Sequence, residues 1–358
     1  MKRRIVILSL ILALVAIPLV ACAAPEPTPA PTPTPTAPPE SEEAIILNAL
    51  RPWPWTNVDI WAYREFINRV NQRAEGRLVI KDMGGSEVFP SREQFAPLQS
   101  GTVDLLETSA GYIADVFPEP NILIYGFGAT PDQLRAGGVF DKLDDIGRSE
   151  HGVTFLGQIG WYSANVFLTK RVETLEDLKN MKLRSHPSYD PLLKGLGIPT
   201  VTISWGEVFT GLERGVIDGM AWPGGLADYG LEEVVSFRIE PAFWRAGWVP
   251  FMANAESFDA LPADLQRLVT DTVRELESAV PEYFDAQYNK QYAVYKLAGI
   301  QSIRLSNDEW LQTQQVGWEN LKSVLAEVSP VHGAELVELM AQFYPPTEPY
   351  LSTPESLD

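Results

Sequence analysis

Apolar and polar positions alternate along the chain in two periods. The run Ile45-Ile46-Leu47-Asn48-Ala49 is short and mostly apolar, and predicts a strand. Ile60, Tyr63, Ile67 and Val70 follow at helical spacing and predict a helix over 58–74, with Asn57 as its N-cap and Gly76 as its end. Residues 77–81 read as the next strand, 91–100 as a short helix and 103–106 as a third strand. This β-α-β-α-β rhythm predicts a parallel or mixed sheet covered by helices. The rhythm recurs from 154 to 222, with a short strand over 182–185, and predicts a second α/β lobe. Residues 249–253 read as a strand returning to the first lobe. A helical pattern over 262–298 holds Pro281, expected to break or kink it. Residues 308–327 and 334–343 predict further helices, and no solenoid repeat is visible.

The ends of the chain read differently. Lys2, Arg3 and Arg4 precede an apolar stretch over 5–21, and then comes Cys22, the one cysteine among 358 residues. A basic start, an apolar core and a small residue before a cleavage point predict a secretory leader. Leu19-Val20-Ala21-Cys22 is similar to a bacterial lipobox, which implies that Cys22 is lipidated and anchors the mature chain to a membrane. The competing reading is an uncleaved apolar anchor. With its only thiol used in this way, the mature chain would carry no disulfide, cysteine nucleophile or cysteine-ligated zinc. Residues 22–43 hold eight prolines between Pro25 and Pro39, too little apolar surface to fold, and predict an extended tether. The expected organisation is a leader over 1–21, the tether over 22–43, and a first lobe over 44–160 completed by about 249–300. A second lobe follows over 161–248, then C-terminal helices over 301–344 and a loose tail over 345–358.

Length and charge narrow the function. The chain is long enough for two lobes, each with its own core. The formal charge of −19 argues against nucleic acid and against electrostatic docking on anionic lipid. The same field repels an anionic ligand, so an anion site would need a strong local donor.

One such donor sits in an ordered run of motifs. Thr174, Asp177, Leu178, Lys179, Lys182 and Arg184 are followed by Leu196-Gly197 and Pro199, then by Glu207, Leu212, Gly215 and Asp218-Gly219. This order resembles the central segment of the solute-binding proteins of TRAP transporters, the DctP type. Gly76-Arg77-Leu78-Val79-Ile80, Gln99-Ser100-Gly101-Thr102-Val103-Asp104 and residues 254–266 resemble further elements of that family, so the resemblance spans about residues 44–330. It implies a two-lobed fold of the type II periplasmic-binding kind, with crossing segments and a long C-terminal helix. It also implies hinge closure on a ligand and membrane permease subunits as partners.

The resemblance assigns Arg184 to the ligand carboxylate. Arginine suits that task because it offers a permanent charge and a planar fork of donors. A structural ion pair at a strand end is the plain alternative. Trp222 follows the Asp-Gly turn, where family members often place a ligand-lining Asn or Trp. The preceding residue is Ala221, where some oxo-acid-binding members carry a Glu that holds a bridging cation, so no metal is expected. The second arginine of sialic-acid-binding members is also missing, since Ala164 and Asn165 occupy that region. Trp161 and Tyr162 offer an apolar wall or core. Tyr112, and Trp55 with Trp53, follow strands at the end where open α/β sheets bind ligands. Glu207 resembles the family's Glu at a helix start, a place where capping stabilises a carboxylate. His186 shares a strand face with Arg184, and either contacts ligand or caps the loop before Pro187.

The reading that follows is an extracytoplasmic, lipid-anchored binding protein for a mono- or 2-oxo carboxylate, with no cofactor. An ABC-importer or sensory binding protein is the alternative. An enzyme has little support. His151, His186 and His332 form no metal-binding spacing, and neither G-x-S-x-G nor a P-loop is present.

Overall fold

The computed structural model describes residues 43–346 apart from 187, 202 and 204. Cys22, the leader, the tether and most of the expected tail lie outside the described residues. The chain begins with β1 (Ile45–Leu50), α1 (Trp61–Arg73), β2 (Leu78–Gly84), α2 (Phe95–Gln99) and β3 (Leu105–Glu107). It continues through α3 (Pro131–Ala136), α4 (Val139–Ile146), β4 (Val153–Gln158), β5 (Tyr162–Leu168), β6 (Leu183–Arg184) and α5 (Asp190–Gly195). Next come β7 (Thr200–Val201), α6 (Val208–Glu213), β8 (Gly219–Trp222), β9 (Phe237–Glu240), β10 (Trp244–Ala246) and β11 (Pro250–Asn254). It closes with α7 (Ala255–Asp259), α8 (Ala263–Leu297), β12 (Gln301–Arg304), α9 (Asn307–Val328) and α10 (Gly333–Ala341).

Two mixed sheets result. The first has the order β2-β1-β3-β11-β4, and the second runs β12-β9-β5-β8-β6-β7 with β10 paired to β5. β1 is parallel to β2 and β3, whereas β11 returns antiparallel between β3 and β4. The strand expected at 249–253 therefore does rejoin the first lobe. The strand that opens the second rhythm, β4, hydrogen-bonds in the first sheet, so the second sheet starts at Tyr162.

The chain crosses between the sheets just after β4 and again just before β11. Here Ile159 N–H donates to Val249 O at 3.1 Å. Gly247 has no room for a Cβ, which would fall onto the Gln158 side chain and the Gly160 carbonyl. Backbones that must pass this closely can only carry glycine there.

α8 is the third link. Near its middle Tyr283 stacks on Trp61 at the start of α1, at 4.0 Å, and its C-terminal end buries Tyr292 and Tyr295 in the second core. Pro281 lies inside this helix without ending it. An interior proline costs about 3 kcal/mol, and the buried side chains on either side of it, Val280 and Phe284, hold the helix through that loss. β12 is a strand within the region expected to be purely helical. It pairs parallel to β9 and buries only Ile303, so it lacks the alternation that would announce it.

Candidate functional site

β6 sits between β7 and β8, and Arg184 ends it, opposite Met220. Leu183 is buried, the pleat sends Arg184 to the opposite face, and its place as the last residue of β6 puts it at the carboxyl edge of the second sheet. Arg184 is only 9 % exposed. Burial presses its pKa below the usual arginine value, and the hydroxyls of Tyr189 and Tyr112 stand near enough to oppose that shift.

His186 follows in the same loop. Its ring lies 5.8 Å from Tyr112 and 6.0 Å from Tyr189, and its Nδ1 accepts from Ser188 N–H at 3.2 Å. Burial first, and the Arg184 charge second, lower its pKa to about 4, so the imidazole is neutral at pH 7. A neutral ring leaves Arg184, and Arg92 with its guanidinium 6.0 Å from the Tyr112 ring, as cations beside this loop.

The first lobe meets this loop directly. Tyr112 closes the turn after β3, and its ring is 6.4 Å from Trp53. A Cβ on Gly111 would collide with the Ser188 hydroxyl and lie 3.3 Å from His186 Cε1. Gly111 is thus a contact point between the lobes. Gly111→Val is expected to leave the melting temperature within a few degrees of the parent while weakening ligand capture at least about tenfold, because closure is sterically blocked. Titration calorimetry on the folded variant checks this, and undiminished affinity would remove Gly111 from the closing surface.

The predicted residues separate into groups. Arg184, His186 and Tyr112 come together. Trp161 and Tyr162 are buried on the crossing strand, where Tyr162 packs 4.8 Å from Trp248 and 4.9 Å from Phe284. Both line a cavity of about 230 Å³, with Asp59 at the entry to α1, residues 223–225 after β8, and Asp285, Gln287 and Gln291 on α8. Arg184 is not among its lining residues. The geometry of the strand end and the tyrosine cluster is the better guide to the anion site, because the cavity offers carboxylates and amides where an anion needs cations.

Trp222 ends β8 and pairs with Asn165, and its ring packs at 6.0 Å, edge-on, against Tyr229 and onto the second core. Trp55 is 44 % exposed, with the Arg51 guanidinium 5.4 Å from its ring. Glu207 is exposed at the start of α6 and makes no side-chain cap there.

Sequence reasoning missed Tyr189, Trp244 and Trp248. Tyr189 packs on Trp244 at 4.6 Å and on Trp248 at 5.8 Å, forming an aromatic wall behind Arg184. The signal was the dense aromatic run Phe243-Trp244 and Trp248 just before a returning strand. It also missed Glu107, at the end of β3 and fully buried. Among the described residues neither carboxylate oxygen of Glu107 has a hydrogen-bond partner. Burial, then Asp59, push its pKa well above the usual carboxylate value. A carboxyl raised in the folded state stabilises below its ordinary pKa, and that contribution is lost as pH rises through the folded value. Glu107→Gln is therefore expected to gain stability relative to the parent as pH goes from about 5 to about 8. Parallel melting curves across that range would contradict it.

Among the described residues no group of three or more metal-ligating side chains occurs, and no helix is long and apolar enough to cross a membrane.

The comparisons with known proteins agree with this layout. The family model described as bacterial extracellular solute-binding protein, family 7 (DctP), matches residues 54–327. The monocarboxylate 2-oxoacid-binding periplasmic protein of Nostoc sp. is 24 % identical over 272 residues, 74 % of each chain. The ectoine-binding periplasmic protein TeaA of Halomonas elongata is 23 % identical, over 70 % of this chain and 76 % of that one. Among solved structures, an open TRAP periplasmic solute-binding protein from Rhodobacter sphaeroides superposes with a TM-score of 0.73 at 18 % identity, covering 84 % of this chain and 99 % of that one. One from Rhodoferax ferrireducens with bound malonate gives 0.68 at 23 % identity, covering 83 % and 98 %. The match over most of the chain, on two mixed sheets joined by crossing strands and a long helix, makes this protein a member of the DctP family of TRAP-transporter solute-binding proteins, which are extracytoplasmic and not enzymes.

Proposed function

We propose that this protein captures a small organic acid, a mono- or 2-oxo carboxylate, between its two lobes and delivers it to TRAP permease subunits. Arg184 is the carboxylate partner, Tyr112 and His186 close over it, and Tyr189 with Trp248 forms the apolar wall. Cys22 carries the lipid that holds the domain at the membrane, with residues 22–43 as tether.

The observation that carries this reading is a buried arginine at the carboxyl edge of the second sheet, met by a glycine-bearing loop of the first lobe. In such an enclosed site a charge-assisted pair is stronger than in water. The Nostoc relative, by its name, binds monocarboxylate 2-oxoacids, and the Rhodoferax structure holds malonate. Both point to carboxylates.

The test is a thermal-shift screen of residues 43–358 against mono-, di- and 2-oxo carboxylates, sugars and amino acids. A ligand at 100 times its Kd adds about 2.7 kcal/mol of stability. A carboxylate hit is expected, and a hit among neutral sugars alone would overturn the assignment.

A further inference from the structure

The first lobe, over 44–160, carries eight arginines. Six of them pair with acids, as Arg51 does with Asp82 at 3.2 Å and Arg148 with Asp259 at 3.0 Å. A seventh, Arg64, donates to the Trp55 carbonyl at 3.0 Å. The eighth is Arg92. It lies exposed in the turn over 91–93, between β2 and α2, and among the described residues no acid pairs with it. Acids outnumber bases 47 to 28 in this chain, so an exposed arginine without one is the exception.

The contact that Arg92 does make leads to the site. Its guanidinium lies 6.0 Å from the centre of the Tyr112 ring, and that ring lies 5.8 Å from His186, two residues beyond Arg184. The charges of Arg184 and Arg92 are both felt by His186. Asp190, the acid felt by the same ring, is already paired with Lys194 at 3.0 Å. Two guanidiniums, one from each lobe, therefore stand beside the loop contact at which the lobes meet.

We infer that Arg92 is the first lobe's anion contact, and that the ligand carboxylate is clamped between Arg92 and Arg184 as the lobes close. The inference rests on Arg184 being the carboxylate partner. A carboxylate offers two oxygens with about four lone-pair sites, enough for two guanidiniums. With no anion between them the two like charges oppose closure, and with one they favour it. The exposed position of Arg92 also draws anions to the cleft against the field of an acidic surface.

The experiment measures calorimetric affinities of the whole chain for 2-oxobutyrate, 4-methyl-2-oxopentanoate and malonate, at low salt and at about 0.3 M salt. Arg92→Gln should weaken the tightest of the three at least about fivefold at low salt, and the gap to the parent should narrow at high salt, because an exposed charge is screened. Arg92→Lys keeps the charge and should bind at least about threefold tighter than Arg92→Gln at low salt. Melting curves of both variants should stay within a few degrees of the parent, since the side chain is exposed. Arg92→Gln binding within about fivefold of the parent at low salt, while Arg184→Ala abolishes binding, overturns the clamp. So does a gap that salt leaves unchanged, or a lysine variant as weak as the glutamine one, which would make Arg92 a packing partner of Tyr112. Binding that survives Arg184→Ala, or a parent that binds none of the three carboxylates, overturns the reading of the site itself.

Discussion

Replacing Arg184 with alanine is expected to weaken carboxylate binding by about thirty- to several-thousand-fold, roughly 2–5 kcal/mol. The loss is large because the lobes would close on a carboxylate with its partner removed and with little water to replace it. Arg184→Lys should fall between, since a point charge keeps attraction and loses the two-pronged geometry. Arg184→Lys keeps a buried cation at the same position, so its melting curve beside that of Arg184→Ala shows what the charge contributes to the ligand-free protein. Calorimetric titration with the best carboxylate from the screen, beside melting curves, separates the two effects. A loss under threefold in Arg184→Ala would return the residue to a structural role.

The largest effect on stability is expected at Arg238, a residue that sequence reasoning passed over. It is 1 % exposed on β9, two positions before the equally buried Glu240, with which it forms an ion pair. Its guanidinium also reaches the Tyr288 hydroxyl at 2.6 Å and Ser302 at 3.3 Å, and lies 4.7 Å from the Tyr292 ring centre. These contacts tie β9, β12 and α8 together, which is where the second lobe is fastened to the long helix. Arg238→Leu takes the buried carboxylate of Glu240 away from its buried ion-pair partner, with Arg304 at 4.0 Å on the more exposed side. Removing one partner of a buried pair costs about 3–5 kcal/mol, or on the order of 10 °C in melting temperature for a domain of this size. The double variant Arg238→Leu/Glu240→Leu should recover most of the loss, because it leaves no uncompensated charge. A double variant as unstable as the single one would show that the arginine acts through packing rather than charge.

Much of the fold was legible because hydrophobic period reports local structure. The apolar runs at 45–49 and 77–81 became β1 and β2, and the helical spacing of Ile60, Tyr63, Ile67 and Val70 became the buried face of α1 and the turn leading into it. Asn57 does accept from Asp59 N–H at 2.7 Å, as a cap should, although it caps a short 3-10 turn that leads into α1. Residues that depend on partners far away in the chain were not legible. β12 forms because β9 offers it an edge, and α8 runs through Pro281 because two cores grip it on either side.

The site divides along the same line. The place of Arg184 at the end of the short strand that follows Lys182, two residues before His186, is local, so sequence alone determined that an arginine would end a strand beside a histidine. The family resemblance carried by residues 174–219 likewise needed no coordinates. Which aromatics stand behind that arginine was decided by the crossing of β5 and β10, which brings Trp244 and Trp248 against Tyr189 from more than fifty residues away. The same crossing took Trp161 and Tyr162 into a separate cavity and set an acid from the start of α1 on its wall. Sequence period records which face of an element is buried, but only tertiary packing decides which other face it is buried against, and a binding site is made of such pairings.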